Sequence, residues 1–359
     1  MIETVLFLVN MQIGNTIFAL PSLIQLMSIL LYVVFQVFGI LINLYFTFKV
    51  SDLSQCASVQ QHLASSSPQL FQFVYSFFSF IMWLPLSPVL TVKQLVCDYF
   101  GLNLNQFVVY SILLLLCPIS LLRPKLLRVL SSCLTPVFYV LIVSVAVQSS
   151  PNIDLKLSKN NLLPTNWFTI QYSMMFLLSM YQTYALVLPR KQLKNSFISS
   201  CCIATVICFV FGFIESCQEN LPDNLLLSLK RTVFNDICIG FYVILQMVNT
   251  VLLLQLYGTH KNEGYEALGP VQEQIDNKIK KNMVNTAIRC VVMVIVAGID
   301  IAFNNLAFVL TFVSNLGSPI VCQIGAIICF KGKTRIAIMS LMMTWCVMCL
   351  VLQLLDRYL

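Results

Sequence analysis

Apolar runs about as long as a lipid bilayer is thick follow one another along nearly the whole of this chain. A membrane-spanning helix needs roughly 20 predominantly apolar residues, and eleven segments of the chain approach or reach this length. Hydrophobic residues make up 58% of the sequence and charged residues only 10%, which excludes the soluble classes. We therefore predict an all-α polytopic membrane protein. The predicted spans are 3–21, 24–48, 69–92, 106–121, 126–148, 168–188, 196–214, 234–257, 286–303, 305–329 and 336–354.

The sequence predicts one transmembrane domain over residues 1–359. The first span lacks a basic segment before it and leads directly into a second span, so we interpret it as mature structure rather than as a signal peptide. The longest segment between spans, residues 258–285, is polar and of mixed charge. No segment outside the spans is long enough to build a soluble core.

Basic residues predict the orientation of the chain, because Lys and Arg accumulate in cytoplasmic loops. With the N-terminus inside, the inner loops collect 15 of the 21 basic residues. This predicts a cytoplasmic N-terminus and a C-terminus on the outer or lumenal face, and it leaves open whether the membrane is the plasma membrane or that of a vacuole or lysosome. The six basic residues on the predicted outer side are Lys93, Lys156, Lys159, Lys230, Arg231 and Arg357.

Charge and motif content argue against several other classes of function. The net charge of +7 is spread over the inner loops without a basic groove, so we expect no nucleic-acid partner. The two histidines, His62 and His260, fall in predicted loops, and the sequence contains no HExxH, GxSxG or paired-acid helix. We expect neither an enzyme nor a metal or organic cofactor, and no protein partner is evident. The expected surroundings are the lipid bilayer.

The fourteen cysteines lie mostly within predicted spans, where a thiol behaves as a small apolar residue. Cys346 and Cys349 have the spacing of a redox or metal pair, but their apolar surroundings favour packing. Cys97 and Cys217 both fall near the predicted outer side, and the sequence leaves open whether they form a disulfide.

The first span is polar and helix-breaking in its middle. Gly14, Asn15 and Thr16 follow one another there, and Pro21 closes the predicted span. One interpretation is a discontinuous helix whose free backbone N–H and C=O groups face a substrate near the middle of the bilayer. The alternative is a short helix whose glycine lets a neighbouring helix approach closely.

The sixth span shows a similar interruption. It carries Gln171, Tyr172 and Ser173 near its start, and it crosses in the opposite direction to the first span. Two broken helices five spans apart are the pattern of two inverted repeats. We predict one repeat over about residues 1–149, a second over about 164–330 and an extra helix at about 334–355.

Four stretches, taken together, resemble the amino acid/auxin permease family of amino acid transporters, of which the chain would be a divergent member. Their sequences are IGNTIFALP at 13–21, PISLLR at 118–123, GFIESCQENLPDNLL at 212–226 and LTFVSNLGSPI at 310–320. The chain departs from that family at Val251, where a proline is usual, and at Asn15, where a second small residue is usual. The resemblance implies a LeuT-type fold with five plus five inverted helices and one extra helix. It also implies transport of amino acids coupled to protons or sodium.

A substrate site follows from these observations as a hypothesis. The backbone N–H groups of Gly14, Asn15 and Thr16 would bind the amino acid's carboxylate. The polar groups of the sixth span at Gln171, Tyr172 and Ser173 would bind its ammonium group. Tyr75, in the third span, could also reach the site, although a tyrosine facing lipid or the protein core explains it as well.

The coupling ion is left open by the sequence. Sodium needs neutral oxygen ligands, which Asn15, Asn249 and Thr250 could supply. A proton needs a carboxylate, and charged residues within a membrane are functional candidates because of their insertion cost. Asp300 is the candidate, although its place near the end of the ninth span favours a helix-end carboxylate in an interfacial turn. Asp236, at the start of the eighth span, favours a role at the helix N-terminus.

Two functions from different classes remain. The leading hypothesis is a secondary active transporter that moves amino acids by alternating access. The alternative is an amino-acid-binding membrane sensor, or a non-transporting relative, that signals through a partner. A sensor would need a sizeable soluble tail or loop for that partner, and the sequence contains little of this kind.

Overall fold

The computed structural model describes the chain in separate stretches. These are residues 2–14, 16–52, 84–102, 105–122, 124–152, 194–218, 221–255, 275–303 and 332–358, with the single positions 163, 305, 306, 308–313 and 315. The elements within them are all helical: α1 (Ile2–Ile13), α2 (Thr16–Met27), α3 (Ile29–Asp52), α4 (Leu86–Gln94), α5 (Gln106–Leu114), α6 (Leu116–Ile119), α7 (Pro124–Ser149), α8 (Lys194–Glu215), α9 (Val233–Leu254), α10 (Ile275–Ala302) and α11 (Gly332–Tyr358). A π-helix, Leu95–Tyr99, continues α4, and short 3-10 helices cover Ser150–Asn152 and Leu225–Ser228.

Within the described part of the chain, five helices are long and apolar enough to cross a membrane. Their apolar portions are Val129–Ser149, Asn195–Glu215, Val233–Leu254, Asn282–Ala302 and Gly332–Asp356. Three shorter apolar helices cover Thr16–Met27, Ile29–Leu41 and Gln106–Ile119. The chain is therefore a helical, polytopic membrane protein. The sixth predicted span, most of the third and most of the tenth lie outside the described residues.

Several predicted boundaries are wrong for identifiable reasons. Pro21 does not close the first span, since it lies inside α2 and the turn comes at Ser28, which has a φ of 85°. The helix α10 begins at Ile275, whereas the predicted span begins at 286. The first turns of α10 are helical but polar, so the distribution of apolar residues does not reveal them. The predicted fourth span divides into α5 and α6, because Pro118 has no backbone N–H with which to continue the hydrogen bonds of α5.

The contacts divide the chain into two compact units. Unit one comprises Met1–Met82, Ile142–Ser228 and Ala307–Leu359, and unit two comprises Trp83–Leu141 and Leu229–Leu306. In unit one, α8 packs against α1, α2 and α3. In unit two, α9 packs along α4, and α10 contacts α4, α5 and α6. The helix α7 is counted in unit two up to Leu141 and in unit one after it.

The core of unit one forms where α2 and α3 meet α8. Phe18 packs edge-on against Phe211 with ring centroids 6.3 Å apart. The Tyr32 hydroxyl is buried and donates to the Cys208 carbonyl at 2.6 Å. A Cβ added at Gly212 would lie 2.8 Å from Leu20 Cδ2 and 2.9 Å from an Ile24 methyl carbon. The missing side chain at Gly212 therefore sets how closely α2 approaches α8.

We expect Gly212→Ala to lower the free energy of unfolding by about 1–3 kcal/mol, the usual cost of overpacking a filled core. The matched control is Gly240→Ala in α9, where a new Cβ meets nothing within 4 Å. It should keep stability or raise it by about 1 kcal/mol, since alanine is the better helix former. Thermal unfolding in detergent measures both variants. Equal midpoints would show that α2 and α8 can separate without cost.

Candidate functional site

The first apolar helix is broken at the position that the sequence predicts. The helix α1 ends at Ile13 and α2 begins at Thr16, with Gly14 at a φ of +43° between them. A residue with a side chain rarely adopts this left-handed conformation, whereas glycine does so readily. The last carbonyls of α1 and the first N–H groups of α2 have no partners within their own helices. Thr16 is partly buried at the start of α2.

Both halves of the broken helix are anchored to the region of α8. In the last turn of α1, the Gln12 amide donates to Ser200 Oγ at 3.4 Å and to Cys201 Sγ at 3.3 Å. In α2, the Gln25 amide donates to the Ser216 carbonyl at 3.0 Å and to the Gln218 carbonyl at 2.7 Å. The sequence analysis missed Gln12 and Gln25. Their signal was an amide within an otherwise apolar run.

A buried polar stripe runs along the C-terminal end of α9. Asn249 and Thr250, the predicted sodium ligands, are 7% and 0% exposed. Ser131 Oγ of α7 donates to Asn249 Oδ1 at 3.4 Å. The Thr250 hydroxyl donates to the Gln246 carbonyl at 2.9 Å. Neutral oxygens of this type are suitable ligands for a cation such as sodium. The assignment of a sodium site to Asn249 and Thr250 remains a prediction.

Asp300 lies in the last turn of its helix, as predicted, but it is buried. It lies within α10 and is 0% exposed. The Tyr110 hydroxyl of α5 donates to Asp300 Oδ2, and Lys93 Nζ of α4 lies 3.9 Å from the same oxygen. The sequence predicts Lys93 for an outer loop, but it is likewise buried, because it lies in α4, which continues as a π-helix to Tyr99.

Glu215 is a second buried carboxylate, and the sequence analysis missed it by placing it in a polar linker. It is the last residue of α8 and is 0% exposed. Ser149 Oγ donates to Glu215 Oε1 at 2.9 Å, and the Gln218 amide donates to Oε2. Two hydrogen bonds from neutral groups therefore satisfy this carboxylate within unit one.

Asp236 belongs to a half-exposed cluster at the start of α9. The N-cap is Thr232, whose hydroxyl accepts from the Asn235 N–H, and Asp236 lies in the first turn. The Tyr99 hydroxyl donates to Asp236 at 2.9 Å, and Arg231 lies 3.7 Å from the same carboxylate. The predicted capping role thus belongs to Thr232, with Asp236 stabilising the helix N-terminus.

The remaining predicted residues are only partly covered by the structure. Asn15, Tyr75, Gln171, Tyr172 and Ser173 lie outside the described residues. Cys97 and Cys217 are not joined to each other by a disulfide. Cys346 and Cys349 are buried, 1% and 0% exposed, and Trp345 packs against them, as a packing role predicts.

Comparison with protein-family models finds no family that matches this chain, and comparison with curated proteins finds no match either.

Proposed function

We propose that this chain is a secondary active transporter that moves amino acids across a membrane by alternating access, coupled to protons or sodium. The observation that carries the proposal is the break between α1 and α2 at Gly14. A membrane helix normally satisfies its own backbone, and an interruption is tolerated only where protein or a cavity compensates. In secondary transporters such an interruption presents N–H groups to an anionic substrate group near the midplane.

The way in which the two units divide the chain also supports the proposal. Two inverted repeats of five helices make each helix equivalent to the one five spans later. The second and seventh spans, α3 and α8, both belong to unit one. The described part of the third span, α4, belongs to unit two with the eighth span, α9, and so do the fourth and ninth spans. The earlier part of the third span, up to Met82, is counted in unit one, and the fifth span divides between the units after Leu141. Three pairs of equivalent helices, α3 with α8, α4 with α9, and the fourth span with the ninth, thus share a unit, as expected if each unit moves as one body during alternating access.

The proposed substrate site combines the break with the predicted polar residues of other spans. Backbone N–H groups at Gly14, Asn15 and Thr16 would bind the carboxylate of the amino acid. Groups near Gln171, Tyr172 and Ser173 would bind its ammonium, and Tyr75 would line the site. The anchoring of α1 and α2 to α8 through Gln12 and Gln25 would then link the bound substrate to the helices of unit one.

The test is uptake of a labelled amino-acid mixture into proteoliposomes that carry the purified protein, with an imposed proton or sodium gradient. We expect accumulation above that of protein-free vesicles, and we expect it to collapse when an ionophore dissipates the driving gradient. Binding without accumulation under either gradient would contradict the transporter and favour the amino-acid sensor. If the protein shows no binding and no accumulation, both functions are contradicted.

A further inference from the structure

Three buried polar side chains from three helices meet at Asp300. They are Asp300 of α10, Lys93 of α4 and Tyr110 of α5, which are 0%, 7% and 6% exposed. All three belong to unit two. A buried acid and a buried base of this kind are costly in a membrane protein and are rare outside functional sites. We call these three residues the Asp300 cluster.

The carboxylate of Asp300 is poorly satisfied for a buried charge. Its Oδ2 accepts one hydrogen bond, from Tyr110. Lys93 Nζ is 3.9 Å from Oδ2, which is beyond hydrogen-bonding distance. Asp300 Oδ1 is buried and has no hydrogen-bond partner among the described residues. An ionised carboxylate usually needs several such bonds when it leaves water, whereas a neutral carboxylic acid needs fewer. The cluster can therefore accommodate the protonated form of Asp300.

The geometry disfavours sodium at this carboxylate. A sodium ion on Asp300 would lie close to the Lys93 ammonium, and two like charges repel strongly where water is excluded. Sodium in transporters is also held by carbonyls of unwound backbone. The backbone beside Asp300 is helical, since the Phe303 N–H donates to the Ile299 carbonyl at 2.9 Å. A proton needs no such ligands.

The other titratable groups on the helices packed against α10 do not replace Lys93. Cys97 follows Lys93 by one turn and is partly exposed, and Cys117 of α6 is buried. On α10 itself, Arg289 lies three helical turns before Asp300, where it donates to Ser120 Oγ at 2.7 Å. The Arg289 charge is therefore committed elsewhere, and Lys93 is the cation that faces Asp300.

We propose that the Asp300 cluster is a proton-binding site whose occupancy changes during the transport cycle. A proton from water forms an O–H bond with the Asp300 carboxylate, so the carboxylate becomes neutral and the charge of the cluster rises by one. The Lys93 ammonium then loses its counter-charge, and the contact between α4 and α10 weakens. Release of the proton restores the ion pair. The role of the proton in transport rests on the proposed function. Binding of a proton by Asp300 does not.

Infrared difference spectroscopy of the protein in lipid vesicles, between alkaline and acidic buffer, tests the proton site without any transport measurement. We expect one carbonyl band of a protonated carboxylic acid to be present in the unsubstituted protein and lost in Asp300→Asn, whereas the bands of the other carboxyl groups, Glu215 among them, are common to both proteins. The control Asp236→Asn removes a half-exposed carboxylate of the same unit and should retain the band. Absence of the band from the unsubstituted protein, or its persistence in Asp300→Asn, overturns the proposal.

A transport measurement then tests the role of the site with the double variant Lys93→Met, Asp300→Asn, which leaves no unpaired buried charge. We expect exchange of labelled for unlabelled substrate to remain measurable, because exchange needs no net movement of protons. Accumulation driven by a proton gradient should fall to the level of protein-free vesicles. Undiminished proton-driven accumulation overturns the role in coupling. If the unsubstituted protein accumulates nothing under any gradient, the proposed function fails instead, and the infrared result still decides the proton site.

Discussion

At a pH where Asp300 stays ionised, Lys93→Met is expected to lower the free energy of unfolding by about 3–5 kcal/mol, because it removes the ammonium beside the buried carboxylate. Methionine fills much of the volume of the lysine stem, so the loss reports the charge more than the packing. The single hydrogen bond from Tyr110 does not replace the ammonium. Thermal unfolding of the purified protein, with denaturant titration where the transition is reversible, measures the effect.

The double variant Lys93→Met, Asp300→Asn separates this charge effect from a loss of fold. Removing both charges removes the uncompensated one, so we expect the double variant to recover most of the stability lost in Lys93→Met. The matched control is Asp236→Asn, which changes a surface pair with Arg231 in the same unit. It should cost no more than about 1 kcal/mol. A double variant as unstable as the single one would contradict an ion pair between Lys93 and Asp300.

The helical class and most helix positions could be predicted, because both follow from the local distribution of apolar residues. The predicted span 126–148 corresponds to Pro124–Ser149, and 196–214 corresponds to Lys194–Glu215. Hydropathy locates the part of a helix that is apolar and not the helix itself. This explains the error at α10, whose first turns are polar, and the error at Tyr99, where a π-helix extends the third span.

The break at Gly14 could be predicted because its cause is local. Glycine, an amide and a hydroxyl in succession are unfavourable in a plain spanning helix, whatever surrounds them. The Asp300 cluster could not be predicted, because Lys93, Tyr110 and Asp300 are brought together only by the packing of α4, α5 and α10. Each residue considered alone lay near a predicted span end. The available signal was Lys93 itself, which becomes an intramembrane charge once the third span is extended.

Gly14→Val is expected to abolish gradient-driven uptake. Gly14 has a φ of +43°, and an added Cβ would lie 3.3 Å from the Asn10 carbonyl oxygen. A residue with a side chain in this left-handed conformation costs about 1–2 kcal/mol, and a β-branched residue fits it worst. The chain can relieve the strain by continuing α1 as a regular helix, which would consume the free backbone groups at the break. The measured quantities are uptake into proteoliposomes and the binding of labelled amino acid.

Two further variants identify which property of Gly14 matters. Asparagine tolerates the left-handed conformation better than other side chains do, so Gly14→Asn should retain more uptake than Gly14→Val. Gly240→Val in α9 is the matched control, because a Cβ there meets nothing within 4 Å, and its uptake should be unchanged. If Gly14→Val and Gly240→Val transport equally well, backbone groups at the break do not bind the substrate. If uptake by Gly14→Asn is abolished as fully as uptake by Gly14→Val, the cause is the lack of space for a side chain beside Asn10 rather than the backbone conformation at Gly14.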